Sequence, residues 1–245
     1  MKKFLTIVLT LLVGGTFLSG CGQTGGETTV TTSGTAGVSQ SVSETSADVG
    51  NTDEIFVWEG TVITGLTEKG QAAEEIVIPD NATEIADSAF QFADMKTLTI
   101  GANVTKIGEY SFEKCKNLEA ITIPSSVQTI GKYAFSYCQN VTTITFSEGL
   151  LEIGKGAFQA LGAKTVTLPE SLVTIGDQAF SPCAYVESIY IPSALENIPM
   201  GAFGLDSRWG KLYVKEGSWA DLNYDKYVPA DYNDQEKPSI EKAYY

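Results

Sequence analysis

The chain is 245 residues long, with 43% hydrophobic and 19% charged residues, the composition of one or two ordinary globular domains. Lys and Arg number 16 against 30 Asp and Glu, a formal net charge of −14, so phosphate backbones are repelled and nucleic acid is not expected as a partner. There is no His, which excludes His-based triads, His general bases and His metal ligands.

The chain opens on an address. Lys2 and Lys3 precede a mostly apolar stretch, residues 4–18. That stretch is shorter than the ~20 residues of a comfortable membrane span. A basic start, an apolar core and small residues at the end describe an export signal. The end reads Leu18-Ser19-Gly20-Cys21. It resembles the lipobox of bacterial lipoproteins. The resemblance implies cleavage before Cys21, diacylation of its thiol and anchoring to the bacterial membrane. Residues 1–20 are then the signal peptide, and losing its two lysines takes the net charge from −14 to −16. Two or more lipid chains anchor stably, at ~0.8 kcal/mol per buried CH₂.

Residues 21–50 are expected to be a flexible tether. Of residues 22–50, 18 are Gly, Ser or Thr, and the larger aliphatics are scattered valines. Such a segment cannot bury enough apolar surface to offset its chain entropy. As a random coil it would span roughly 30 Å and hold the folded part off the membrane.

The remainder repeats. The phrase Ile-Gly-x-x-Ala-Phe recurs at Ile107 (with Ser111 for Ala), Ile130, Ile153 and Ile175, with weaker copies at Ile85 and Ile198. Its Phe residues, 90, 112, 135, 158, 180 and 203, are 22 or 23 apart. An apolar-x-apolar phrase keeps the same period, as in Ile121-Thr122-Ile123-Pro124 and Ile189-Tyr190-Ile191-Pro192. Period-2 alternation predicts a short strand with two residues inward and one outward. Pro ends it. The Gly after Ile is expected to permit a tight turn, and the small Ala before Phe to suit a short helical turn. One copy cannot offset its own ordering entropy, so the copies must stack. Stacked strands at ~4.8 Å make a parallel sheet along one side of a solenoid, and the Phe residues form a ladder inside it.

This pattern resembles the BspA-type leucine-rich repeat family of bacterial surface proteins, over about residues 76–214, through its Ile-Pro strand ends and its Ile-Gly-x-x-Ala-Phe blocks. The resemblance implies a right-handed leucine-rich-repeat solenoid, with a parallel sheet on one side and short helical turns or loops on the other. It also implies exposure at the cell surface and a role in adhesion or ligand binding. The family has no shared catalytic motif. Residues 51–75 are expected to cap the first coil through Phe56, Val57, Trp58, Val62, Ile63 and Leu66. Residues 215–245 form the other cap and tail: Ser218 is a candidate N-cap with Asp221 at N3, and Trp219, Leu222 and Lys226 are expected along one side of a short helix.

Candidate sites follow from the register. Cys115, Cys138 and Cys183 each sit three residues after a repeat Phe, which predicts stacked, inward thiols. Parallel side-chain vectors disfavour a disulfide between the first two. No fourth ligand with sensible spacing accompanies them, so no metal and no cofactor is expected. No phosphate loop or nucleophile elbow is present, and an enzyme is not expected. The outward strand positions are the best candidate for binding: Thr122, Thr145, Thr167, Tyr190 and Tyr213. Thr suits an exposed strand for propensity alone. Tyr190 and Tyr213 break the Thr run on neighbouring coils, and paired exposed aromatics mark binding patches. Arg208 and Trp209 could extend that patch. The expected function is a monomeric, tethered binding module for a protein or glycan. The alternatives are an envelope spacer without a specific ligand, or a substrate-capturing subunit of a transport or glycan-degrading system.

Overall fold

A computed structural model describes residues 54–203, 211–228 and 241–245. The described residues all belong to one compact unit, which falls within residues 47–245. The export signal, Cys21, the tether, Arg208 and Trp209 lie outside the described residues.

One coil shows how the sequence makes the fold. In β7 (Ala120–Ile123), Ile121 and Ile123 are buried and Thr122 is exposed, as period 2 requires. Pro124 ends the strand, and its carbonyl accepts the Val127 N–H at 3.1 Å. The chain then enters a second, two-residue strand, β8 (Thr129–Ile130), before the turn that carries Phe135 and Cys138. Val127, Ile130, Ala134, Phe135, Cys138 and Val141 complete the buried set. Each face of this set is covered by the next coil's equivalent, which is why no coil could stand alone.

Neighbouring coils are hydrogen-bonded along three sides, with interruptions on the first. On the first side, β3 (Glu75–Val77) pairs β5 (Thr97–Thr99), and β7 pairs β9 (Thr143–Phe146). Then β11 (Thr165–Thr167), β13 (Ser188–Tyr190), β14 (Lys211–Val214) and β15 (Glu241–Tyr244) run in order, all parallel. The second side is a seven-stranded sheet. It starts with the antiparallel hairpin β1 (Phe56–Glu59) and β2 (Val62–Leu66). It continues in parallel through β4 (Glu84–Ile85), β6 (Lys106–Ile107), β8, β10 (Glu152–Ile153) and β12 (Thr174–Ile175). Period 2 predicts one strand in each coil; the structure adds a second one in the coils up to β12. A two-residue strand is too short to carry a period-2 signal.

The third side is the Phe turn, and it is not helical. Alternate N–H groups leave the coil: Phe112 donates to the Ala134 carbonyl at 2.7 Å and Phe135 to that of Ala157 at 2.7 Å. The residues between them close i to i−3 turns instead, such as Cys115 to Phe112 at 3.3 Å. Two positions before each of the first five Phe residues stand Ser88, Tyr110, Tyr133, Gly156 and Gln178, all with φ between 56° and 61°. Phe92, Lys114, Tyr137 and Ala160, two positions after, are also left-handed. A helix cannot run through such residues, so the expected helical turn is replaced by a stack of left-handed corners.

The repeat glycines also serve a different purpose from the one expected. Gly131 has no positive φ. A Cβ on it would lie 2.6 Å from the Glu109 nitrogen, and one on Gly176 2.3 Å from the Lys155 nitrogen. Glycine is there because the backbone of the preceding coil leaves no room.

The Phe ladder forms as expected. From Phe90 to Phe180 neighbouring rings stack with centroids 4.8 to 5.5 Å apart, and Phe203 follows at 6.3 Å. Both ends are closed by an aromatic ring turned edge-on: Phe56 against Phe90 at 6.0 Å, Tyr227 against Phe203 at 6.3 Å. In the N-terminal hairpin Phe56 and Ile63 are buried while Val57 faces solvent. At the other end the Ser218 hydroxyl accepts the Asp221 N–H at 3.2 Å, as expected of an N-cap. The helix breaks at Asn223 into two short helices, Trp219–Leu222 and Tyr224–Tyr227. That break changes which face packs. Ala220, Tyr227 and Val228 are buried, whereas Leu222 is 75% exposed, so the expected stripe of Trp219, Leu222 and Lys226 does not cover the last coil.

Candidate binding face

The first side of the solenoid presents two outward rows. The row singled out from the sequence, Thr122, Thr145, Thr167, Tyr190 and Tyr213, is preceded by Val77 and Thr99, and the structure adds Ala243 after Tyr213, in register from strand to strand where the ladders pair. Its threonines are exposed. A second row, two residues earlier, went unremarked in the sequence: Thr97, Ala120, Thr143, Thr165, Ser188 and Lys211. Period 2 would have found it, because each strand begins one outward residue sooner than the apolar-x-apolar phrase.

Tyr190 and Tyr213 come together as expected. Their rings lie 4.3 Å apart and 8° from parallel. They are half-buried rather than open, for two reasons. Each covers one face of the other, and Tyr245 stands edge-on against Tyr190 at 5.6 Å and 79°. The Tyr245 hydroxyl donates to the Ile191 carbonyl at 2.8 Å and lies 3.3 Å from Glu170 Oε1. Burial, followed by the Glu170 charge, pushes the Tyr245 phenol up to about 12. A ligand approaching the pair therefore meets a third ring supplied by the strand after β14.

Charge on the solenoid is organised between coils. Lys96 pairs with Glu74 at 2.9 Å, Lys132 with Glu109 at 2.8 Å and Lys155 with Asp177 at 3.1 Å. These pairs are exposed and contribute little stability. The Thr rows carry few charges, so the face differs from the acidic surface around it. A groove of about 640 Å³ follows the second side, floored by Gly108, Gly131, Gly154 and Gly176 and flanked by Lys106, Lys132 and Lys155. The recurring Gly was visible in the sequence, but its closeness to the next coil was not.

The three cysteines are free and buried, each three residues beyond a ladder Phe. Their Sγ atoms donate to the Phe carbonyls of the preceding coil, Cys115 to Phe90 at 3.2 Å, Cys138 to Phe112 and Cys183 to Phe158 at 3.3 Å. Burial pushes the Cys183 thiol up to about 12. The neighbouring Cys138, then burial, push the Cys115 thiol up. Thiols held in this way complete the core and are poor nucleophiles.

The family model for the BspA type leucine-rich repeat region matches in six copies, over residues 68–163 and 105–217, more than half of the chain. The chain belongs to the BspA-type leucine-rich repeat family. A leucine-rich repeat protein from Bacteroides ovatus is similar to it at 31% identity with a TM-score of 0.60. The alignment covers 66% of this chain and 46% of that one, so this BspA-type chain matches less than half the length of that relative. A leucine-rich repeat protein of T. pallidum shares the fold at 23% identity and a TM-score of 0.55, over 75% of this chain and 91% of the other. A search of the curated proteins finds no match.

Proposed function

We propose that this BspA-type repeat protein is a lipid-anchored module at the bacterial cell surface, tethered through Cys21, that binds a protein or glycan ligand on its threonine and tyrosine face. The observation that carries the reading is the stacked Tyr190–Tyr213 pair at one end of a Thr face that carries few charges. Ordered rings lose little entropy on binding and present wide faces to a sugar ring or a peptide side chain. Thr122, Thr145 and Thr167 extend the contact along the coils, and Arg208 and Trp209, outside the described residues, belong to the proposed contact through their place in the sequence just before β14. The acidic protein favours neutral or basic partners. The module acts as a monomer, by binding rather than by chemistry, and needs no cofactor.

The test is a glycan and host-protein array probed with residues 51–245, followed by the double variant Tyr190→Ala with Tyr213→Ala. That variant is expected to weaken any ligand found at least tenfold, or ~1.4 kcal/mol. Losing the ring stack is expected to cost the fold only about 0.5–1.5 kcal/mol. Unchanged affinity for the array ligand would move the site off this face.

A further inference from the structure

The last strand, β15, does not behave as a coil of the solenoid. It pairs in parallel with β14 over four residues, Lys211 to Glu241 through Val214 to Tyr244. In that register Lys242 faces Leu212 and Tyr244 faces Val214. Leu212 and Val214 are buried, like the inward residues of the strands before them. Lys242 is exposed and Tyr244 is 56% exposed. The strand thus has a backbone ladder and no core residue.

What holds it in place is a set of side-chain contacts to the cap and to the neighbouring strands. Lys211 pairs with Glu241 at 3.2 Å. Asp221 Oδ1 accepts from Lys242 Nζ at 3.0 Å and from the Tyr244 hydroxyl at 3.1 Å. The Lys242 ammonium also lies 5.3 Å from the centre of the Tyr224 ring. Tyr245 reaches past the strand to Tyr190 and the Ile191 carbonyl. Main-chain pairing along a sheet edge, with a few side chains read at fixed places, is how folded domains bind extended peptides.

We propose that the edge of β14, with Asp221, Tyr224 and Tyr190 around it, is a strand-acceptor site for an extended peptide, and that β15 is its occupant supplied by the same chain. The peptide it fits carries a cation at the position facing Leu212, a phenol two residues on for Asp221, and an aromatic ring next for Tyr190. This inference rests on the strand register and the Asp221 contacts, and does not require the Thr face to bind anything.

The test uses a variant lacking residues 241–245 and the synthetic peptide Glu-Lys-Ala-Tyr-Tyr, followed by amide NMR. The peptide is expected to shift the amides of Lys211, Leu212, Tyr213 and Val214 saturably, whereas a scrambled peptide does not. The full chain should bind it roughly fivefold more weakly, because its own strand competes at the millimolar effective concentration of a short connection. A folded variant showing no shifts at β14, or a full chain binding equally well, would overturn the proposal. A variant that fails to fold would also overturn it, since β15 would then be part of the solenoid. A second measurement uses Tyr245→Ala in the full chain. Amide exchange at Ala243 and Tyr244 should speed at least tenfold while Ile189 and Leu212 keep their rates. Equal acceleration of all four would make β15 structural.

Discussion

The middle of the solenoid and its last strand pair their backbones in the same way and are held by different forces. Around β7 to β12 every paired strand drops an aliphatic side chain into the core, and Ile121, Ile130, Ile144 and Ile153 are all buried. At β15 the equivalent positions are Lys242 and Tyr244, outside the core. The ladder hydrogen bonds are common to both regions, so they do not account for the difference. A buried backbone bond adds only about 1 kcal/mol net, while a buried Ile adds about 1.5–3 kcal/mol. Core burial therefore decides which strands belong to the fold, and the ladder decides only where an added strand can lie.

The contrast is broken most severely in the core. Phe135 is fully buried, between Phe112 at 4.8 Å and Phe158 at 5.5 Å. Phe135→Ala is expected to remove about 3–5 kcal/mol, read as a shift of the denaturant midpoint. A loss under about 1 kcal/mol would mean that the ladder relaxes around the gap and that the core is not what holds the middle coils.

A smaller effect is expected where two coils touch through their backbones. Gly131→Ala places a methyl 2.6 Å from the Glu109 nitrogen and must push the coils apart. Overpacking of this kind costs about 1–3 kcal/mol. The same substitution at Gly60, whose Cβ would meet nothing within 4 Å, tests only backbone strain, because its φ is +64°. If Gly131→Ala were neutral in thermal unfolding, the glycines would be there for the turn after all.

The repeat was legible because it is a register problem. Ile, Phe and Cys positions that recur every 22 or 23 residues must share one side of a coil, and the Phe ladder and the inward thiols followed from that alone. The second sheet was not legible, because Lys106–Ile107 and its equivalents offer a single inward residue each. Tyr110 and Tyr133 in left-handed corners have no local signal at all; the corner is imposed by the N–H groups that must reach the next coil. Leu222 misled because a stripe drawn on one continuous helix does not survive the break at Asn223. On the candidate face the outward Tyr pair could be placed from the period, but Tyr245 could not. Glu241–Tyr244 lacks the inward aliphatics by which every other strand on that side was recognised.

The smallest effect separates the two regions by pH. The Asp221 carboxylate accepts the Gly217 N–H at 2.9 Å and lies beside Lys242, and these hold its pKa below the ordinary value. A carboxyl whose pKa is lower in the docked state than in the released one favours docking above the released value. The advantage is lost as pH falls through the lower, docked value. The Gly217 contact lies within the cap and is common to both states, so the Lys242 and Tyr244 contacts couple Asp221 to docking, and β15 should stay paired through neutral pH and loosen as pH falls through the acidic range in which that carboxyl protonates. Phe135 is flanked by Ala134 and Ser136, while the buried carboxylate of the middle coils, Glu113, follows Phe112, so Phe135 should show no matching change. Amide exchange at Lys242, Ala243 and Tyr244, corrected for its intrinsic pH dependence and compared with Phe135, reads the difference directly. Asp221→Asn should abolish the pH step and leave the strand looser throughout. Release already complete near neutral pH would show that some other group governs the strand, and release together with Phe135 would show that the end of the solenoid and its middle are a single cooperative unit.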